Sequence, residues 1–586
     1  MINSRIRRVI CVAAALLMHQ ASNAETVTCN TTCKQGQNLW QSRSFGSYSS
    51  RDLLLVKDMY VEQHDRDEWN GTISTAIEYM QNFGGKCNSC KNLGALPFWS
   101  GTNTMTYGTN DGLSDIDVYQ FEMGDVTGQG SFTVAPKVMH IGGDIMLHFT
   151  RNMHARGFYF KLRAPIEAMS ISAVTSEIVA DRDIAADQAT NAAWLSYPSL
   201  ANMYATLTEA WQGGSATADN IVGSTVNRPI SLQKGRFSPG RLTSIRLGEL
   251  ITVLGYNVYG SDKGFVGIGA KFSCPTGNVP TGKYVFEPIA GKAGHWGVGM
   301  ELMGHYQVWE HEEKSRKIDF WFDGDLMHLC NGRTPSYRSF DLKLNGPGSK
   351  YMLIQYYFAS NPTTSNPTGR VPSFVTNAVN ETTLPVRSTF NVEGSISLMM
   401  DMQMDNYNFA IGGEFWGRSK ENLSFNPRDL VNNNAANLND FAVLGRQISD
   451  DASGYNPANP VSPTNYVALI TLCEPLARIN KSLDRVDVNT PIATPYTLPT
   501  YNTTLIKDAR IAANRIPANF NDSLDIEGAS AGQAMTARIF GQLGYGFKQC
   551  RYTPHISIIG AAEFVPNQSN AMTNLWSVGA QGSISF

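Results

Sequence analysis

Residues 294–326 read GHWGVGMELMGHYQVWEHEEKSRKIDFWFDGDL. From His295 to Val308 the even positions are Trp296, Val298, Met300, Leu302, Gly304, Tyr306 and Val308, and the odd ones are His295, Gly297, Gly299, Glu301, Met303, His305 and Gln307. One face is apolar and the other polar, with period two. After a charged break, Glu310-His311-Glu312-Glu313-Lys314, Ile318, Phe320, Phe322, Gly324 and Leu326 alternate with Lys317, Asp319, Trp321, Asp323 and Asp325. Strict alternation places two different environments on the two faces of a strand, which a helix cannot do. A soluble sheet would hide its apolar face under a second layer, and no run of amphipathic helices supplies one. Each run is about ten residues or more, enough for a tilted strand to cross hydrocarbon. The hairpin therefore reads as two staves of a membrane-spanning β-barrel, apolar side to lipid and polar side to a lumen.

The same pattern recurs. Ile73–Phe83, Lys137–Phe149 and Phe158–Ala164 alternate, as do Phe265–Cys274, Phe390–Met402 and Tyr407–Arg418. Three more strands, Ala529–Phe547, His555–Phe564 and Leu575–Phe586, close the chain. Leu242–Tyr259 is apolar but loses its parity around Arg246 and Glu249, which a bulge would repair. Phe98–Tyr107 and Asp115–Met123 are weaker. The expectation is an all-β chain: an antiparallel transmembrane barrel of about 14 strands, with 12 or 16 as alternatives, and long extracellular loops with some helix. The breaks at 150–156, 260–263, 310–315, 404–406 and 548–552 are short and fall at one end. The connections 173–240, 331–388 and 419–525 are long and fall at the other. Leu200, Met203, Tyr204, Leu207 and Trp211 recur at helical spacing inside the first long loop.

At the start, Arg5, Arg7 and Arg8 precede an apolar run from Val9 to Met18, and Ser22-Asn23-Ala24 offers small residues for cleavage. Residues 1–24 are expected to be a secretory signal peptide. Residues 25–72 show no sustained alternation, although Leu53-Leu54-Leu55-Val56 suits a short helix; this segment is expected to plug the lumen or lie in the periplasm. The barrel is expected over 73–586. Without the leader the chain carries 44 basic and 50 acidic residues, no field for nucleic acid.

The eight remaining cysteines are an even set in an exported chain, which favours disulfides. Cys274 and Cys330 fall at outer strand ends and are a candidate pair. Cys87-x-x-Cys90, and Cys29 with Cys33, are further candidates. No cofactor and no metal site is expected; His295, Glu301 and His305 share a face but read as hydrogen-bonded lumen groups. The glycines at 264, 267 and 269 lie within a strand with no helix after them, so they are not a phosphate loop. No Ser-His-Asp order with a nucleophile elbow is present, and no enzyme is expected.

The lumen-facing charges are Lys161, Arg163 and Arg538 against Glu301, Asp319, Asp323, Asp325, Glu393, Asp401 and Glu414. A charge on the lipid face costs about 2–4 kcal/mol for Arg or Lys near the midplane, so sorting them to one parity selects a hydrated or internally paired interior. Asp319, Asp323 and Asp325 form an acidic stripe that would bias an open pore toward cations.

A last strand ending on Phe586, with Trp576 and alternating apolar residues before it, resembles those of bacterial outer-membrane barrel proteins. Gln581 stands where that class has a glycine, with Gly579 and Gly582 beside it. The resemblance implies export to the bacterial outer membrane, contact with its lipid, and insertion by the barrel-insertion machinery through the strand ending at Phe586. It leaves open a homo-oligomer. The function expected first is a porin-like channel for passive diffusion of small hydrophilic solutes. About fourteen strands behind a short leading segment are also similar to the long-chain fatty-acid transporter family, whose N-terminal segment plugs the barrel. That family's N-terminal Asn-Pro-Ala motif is missing here; Asn456-Pro457-Ala458 sits in a distant loop. A third reading is a surface adhesin or structural envelope protein, similar to the cross-linked major porins of some intracellular bacteria.

Overall fold

A computed structural model describes residues 41–58, 69–83, 98–100, 103–108, 113–123, 126–151, 157–182, 204–214, 230–261, 263–311, 316–332, 334–359, 370–426, 428–429, 440–443, 478–480, 524–547, 552–565 and 573–586. Its frame is a closed antiparallel barrel of twelve strands. These are β1 (Trp69–Asn82), β2 (Lys137–Arg151), β3 (Phe158–Ser172), β4 (Glu249–Ser261), β5 (Gly264–Pro275) and β6 (Trp296–His311). They continue as β7 (Arg316–Cys330), β8 (Thr383–Met404), β9 (Tyr407–Arg418), β10 (Ala534–Gly546), β11 (Thr553–Phe564) and β12 (Leu575–Ser585). Every strand pairs with its sequence neighbours, and β12 closes on β1 from Thr72↔Ser585 to Asn82↔Leu575. Closure removes the sheet edges, so every backbone donor and acceptor of the wall finds a partner without water.

The two faces differ as the alternation requires. Ile77, Ile141, Leu254, Met300, Leu398, Ile539 and Ile558 are exposed on the outside. Their neighbours Glu78, His140, Val253, Glu301, Met399, Arg538 and Ile559 are buried inside. Outward aromatic rings gather at the two ends of this belt. Phe158 and Tyr256 (5.1 Å), Tyr407 and Tyr545 (5.1 Å), and Phe149 and Phe586 (6.2 Å) meet near the short turns. Tyr79 and Trp576 (5.5 Å) meet at the far end. An apolar band between two aromatic girdles is the surface a bilayer demands of a barrel.

The strand count corrects the expectation of about 14. The two weak segments do not enter the wall. Thr104–Gly108 and Ile116–Asp117 pair instead with Gly130–Val134 and Thr175–Ile178 in a small separate sheet. Met105, Tyr107, Ile116 and Val118 there are wholly buried. Their alternation serves a protein core and not lipid, and the sequence pattern is the same for both.

The lost parity near Arg246 resolves into a bulge. From the pair Leu247↔Ile166 to the pair Ile251↔Arg163 one strand advances four residues and β3 only three. Gly248 occupies the break and its N–H donates to the Pro165 carbonyl at 2.9 Å. A Cβ at Gly248 would lie 2.3 Å from Glu167 Oε1 and 3.3 Å from the Gly291 nitrogen, so a larger residue would have to displace the Glu167 carboxylate. A second irregularity, between Met327 and Leu329 opposite β8, turns Phe390 inward, where it is fully buried.

Among the described residues, the loop-end connections fold together into a cap. Residues from five of them share one apolar core, including Phe98, Phe132, Trp211, Phe237, Phe286, Tyr351 and Phe425. Inward residues at the rim of the wall, Val138, Met169 and Ile171, belong to the same core, so the cap reaches down into the barrel mouth. Within the expected loop helix, Leu207–Trp211 is helical. Most of 419–525, the expected signal peptide at 1–24, and Cys29, Cys33, Cys87 and Cys90 lie outside the described residues.

Candidate functional site: an occupied lumen

Residues 41–58 run down the inside of the barrel. A short 3-10 turn, Phe45–Ser47, leads into helix α1 (Ser49–Lys57), and every residue of both is buried. The segment enters near the loop end, where Ser42 meets Met169 and Ser44 donates to Glu249 at 2.7 Å. It leaves near the turn end. There Asp58 accepts from Gln581 at 2.9 Å and from Ser583 at 2.7 Å, and lies 3.1 Å from His555.

The wall supplies what a buried helix lacks at its ends. At the N-terminus the Ser49 N–H donates to Glu414 Oε1 at 3.1 Å, a carboxylate facing the positive end of the helix dipole. In the last turn the Leu54 carbonyl accepts from Gln581 (2.8 Å) and the Leu55 carbonyl from Ser74 (2.9 Å). Between the ends, Leu53, Leu54, Leu55 and Val56 pack with Met146, Met303, Met399, Phe540 and Ile559. Full burial of one such side chain stabilises by about 1.5–3 kcal/mol.

Charges on the segment answer charges on the wall at every level. Arg43 pairs with Glu414 and, at 3.2 Å, with Glu563. Arg51 reaches Glu78 at 2.6 Å and Asp144 at 3.3 Å. Asp52 meets Arg163 at 2.7 Å and Lys271 at 3.7 Å, and Lys57 meets Asp401 at 3.3 Å. Lys292 reaches in from the β5–β6 connection to Glu249 and Glu393, both at 3.3 Å. Burial works against its charge, but those two carboxylates hold its pKa above the ordinary lysine value.

Two glycines permit the close fit. A Cβ at Gly46 would lie 2.2 Å from Glu249 Oε1, and one at Gly142 would lie 2.1 Å from the Phe45 ring. The Arg51 guanidinium lies over that ring, 3.2 Å from its centre. A cavity of about 10 Å³, room for a single water, remains beside Arg43 and His140.

Each charge assigned to the lumen by parity faces inward. Lys161, Arg163, Glu301, Asp319, Asp323, Glu393, Asp401, Glu414 and Arg538 are buried, and Asp325 is half-buried. They are drawn together as pairs. Lys161 binds Glu301 at 2.6 Å and Asp323 at 3.6 Å, and Lys271 lies 3.5 Å from Asp325. Arg163 grips Asp144 at 2.9 Å and Arg538 grips Glu78 at 2.7 Å. His305 lies 3.2 Å from Asp319. His295 is apart from this group, bonded to the Lys292 carbonyl and to Ser388. Of the wall partners of residues 41–58, Glu563, Gln581 and Ser583 were placed on the inward face from sequence, without a partner, and Glu249 was not placed at all. Inward parity was the only available signal.

The candidate Cys274–Cys330 disulfide is absent, and both residues are free thiols. They sit on β5 and β7 with β6 between them: Ser273 pairs with Gly297, and Cys330 with Trp296. Two inter-strand spacings put their Cα atoms about 9–10 Å apart, beyond the reach of a disulfide.

No family model matches the chain, and no curated protein matches it. Solved structures do. An outer-membrane channel from Pseudomonas putida F1 is similar at 9% identity and a TM-score of 0.34, over 90% of this chain and 99% of that one. The monoaromatic hydrocarbon channel CymD is similar at 8% identity and a TM-score of 0.25, over 91% of both chains. A FadL homologue from Pseudomonas aeruginosa follows at 10% identity and a TM-score of 0.22, covering 88% of this chain and 89% of that one. At such values the function has to be argued from the residues themselves.

Proposed function

We propose that this protein is a bacterial outer-membrane channel for small hydrophilic solutes, closed at rest by residues 41–58 of its own chain. The observation that carries the reading is a closed barrel with an apolar outside and an inside charged at every level. Such an inside favours water and polar solutes once its occupant moves, because its one apolar belt, Met146, Met303, Met399, Phe540 and Ile559 among it, is flanked by buried charges. No catalytic role is proposed. The leader at 1–24 would direct export, and the strand ending at Phe586 would serve insertion. The loop end, with its cap, would face the exterior.

Planar-bilayer recordings test this. The full chain should give a quiet membrane, and deletion of residues 41–58 should give resolved, long-lived openings. A silent deletion variant that still folds as a barrel would overturn the reading. A second reading, surface attachment, is favoured by one observation: the connections build a cap with its own apolar core. Adhesion of cells expressing the full chain, set against cells expressing one trimmed of the cap, would test it.

A further inference from the structure

Asp52 on α1, Glu301 on β6 and Asp323 on β7 bring carboxylate oxygens within 4.8 Å of one another. All three are buried, Glu301 and Asp323 to within 1% of complete. Arg163, Lys161 and Lys271 approach this corner, yet they leave oxygen valences over. Glu301 Oε2 and both Asp323 oxygens accept no hydrogen bond among the described residues. The buried Tyr159 hydroxyl is likewise without a hydrogen-bond partner, and it lies in the field of Glu301 and Asp323.

The wider interior has the same imbalance. On the barrel strands and residues 41–58, thirteen buried carboxylates face eight buried Lys and Arg side chains, or nine with Lys292. Buried charge of one sign calls for a counter-charge. An all-oxygen donor set without His or Cys selects a hard cation over a transition metal. We infer that Asp52, Glu301 and Asp323 form a binding site for a hard divalent cation of the calcium or magnesium type, joining α1 to the wall. One ligand comes from the helix and two from adjacent strands, so the ion would fasten the occupant of the lumen in place. Positions 52, 301 and 323 are too far apart in the chain for any ligand spacing to reveal them.

Terbium luminescence on the metal-stripped full chain in detergent tests the site, because Tyr159 lies beside it to sensitise the ion. One saturable site, displaced by calcium or magnesium, is expected. Asp323→Asn and Glu301→Gln should each weaken it by about tenfold or more. Glu527→Gln, on the exposed cap, should leave it unchanged. Absence of a saturable site in wild-type protein whose gel mobility shows a folded barrel would overturn the inference. So would wild-type affinity in both site variants. If Asp323→Asn does not fold, Glu301→Gln and the metal stoichiometry of the wild type decide. The readout involves no transport, so it can fail while the channel reading stands, and the reverse.

Discussion

The chain has two interiors, and they are built differently. In the cap, Trp211 lies 4.9 Å from Tyr351, 5.1 Å from Phe121 and Phe237, and 5.4 Å from Phe132, ring against ring. In the lumen, α1 is held by one apolar belt around Leu53–Val56, flanked on both sides by ion pairs and by hydrogen bonds from wall side chains to its backbone ends. Opening the cap would put aromatic surface into water, which the hydrophobic effect opposes in proportion to area. Vacating the lumen would uncover a smaller apolar belt, Met146, Met303, Met399, Phe540 and Ile559, among wall charges that water can solvate. On the proposed reading the cap is the permanent interior, and the lumen is the one whose occupant moves.

The test with the largest expected effect asks which interior seals the barrel. If residues 41–58 are the seal, their deletion should take single-channel conductance from background to resolved openings with the cap intact. If the deleted form folds and stays silent, the cap core descending through Val138, Met169 and Ile171 is the seal instead, and the contrast inverts.

Next comes Trp211→Ala. Removing a buried Trp from an aromatic core costs about 3–5 kcal/mol. The loss should appear as protease sensitivity of the cap in limited digestion. The barrel's own unfolding midpoint and the closed state of the lumen should not move. A simultaneous gain of conductance would show that the two interiors are one.

Arg163→Met should cost somewhat less. It takes the nearest cation from Asp52 and Asp144, leaving them Lys271 at 3.7 Å and Arg51 at 3.3 Å, and breaking one partner from a buried ion pair typically costs about 3–5 kcal/mol. Water entering the lumen should hold the loss to the lower end of that range, read by denaturant unfolding in detergent. Asp52→Asn in the Arg163→Met background should recover part of it. A loss above the range would mean the lumen stays dry, like the cap.

This contrast also explains what was legible in the sequence. The wall was, because lipid on one side and charge on the other force a period of two on strands such as β6 and β7. Parity failed where bulges add a residue: Phe390 reads as outward from its spacing, yet it is buried. The cap strands Thr104–Gly108 and Ile116–Asp117 were counted as wall, because a period-two apolar face does not say what covers it. Residues 41–58 offered least. Leu53–Val56 suggested a short helix, but Arg51, Asp52, Lys57 and Asp58 around it read equally well as a solvated surface. Their partners stand far off in the chain, Glu563 for Arg43 and Ser583 for Asp58. The lumenal charges were identifiable one by one through parity, but no pairing between them was.

The smallest effect is the most local. Gly142 leaves room for the Phe45 ring, and Gly142→Ala would press a methyl to 2.1 Å of it. Overpacking of this kind costs about 1–3 kcal/mol. The strain acts only while residues 41–58 are seated, since Phe45 leaves with them. Gly142→Ala should therefore destabilise the full chain, leave the 41–58 deletion unaffected, and lose its effect when combined with Phe45→Ala. In bilayers it should raise the frequency of brief openings without changing their amplitude, because the vacated lumen is the same. An unchanged opening frequency together with a real loss of stability would mean that seating and closure are separate events. The seal would then have to be sought in the cap.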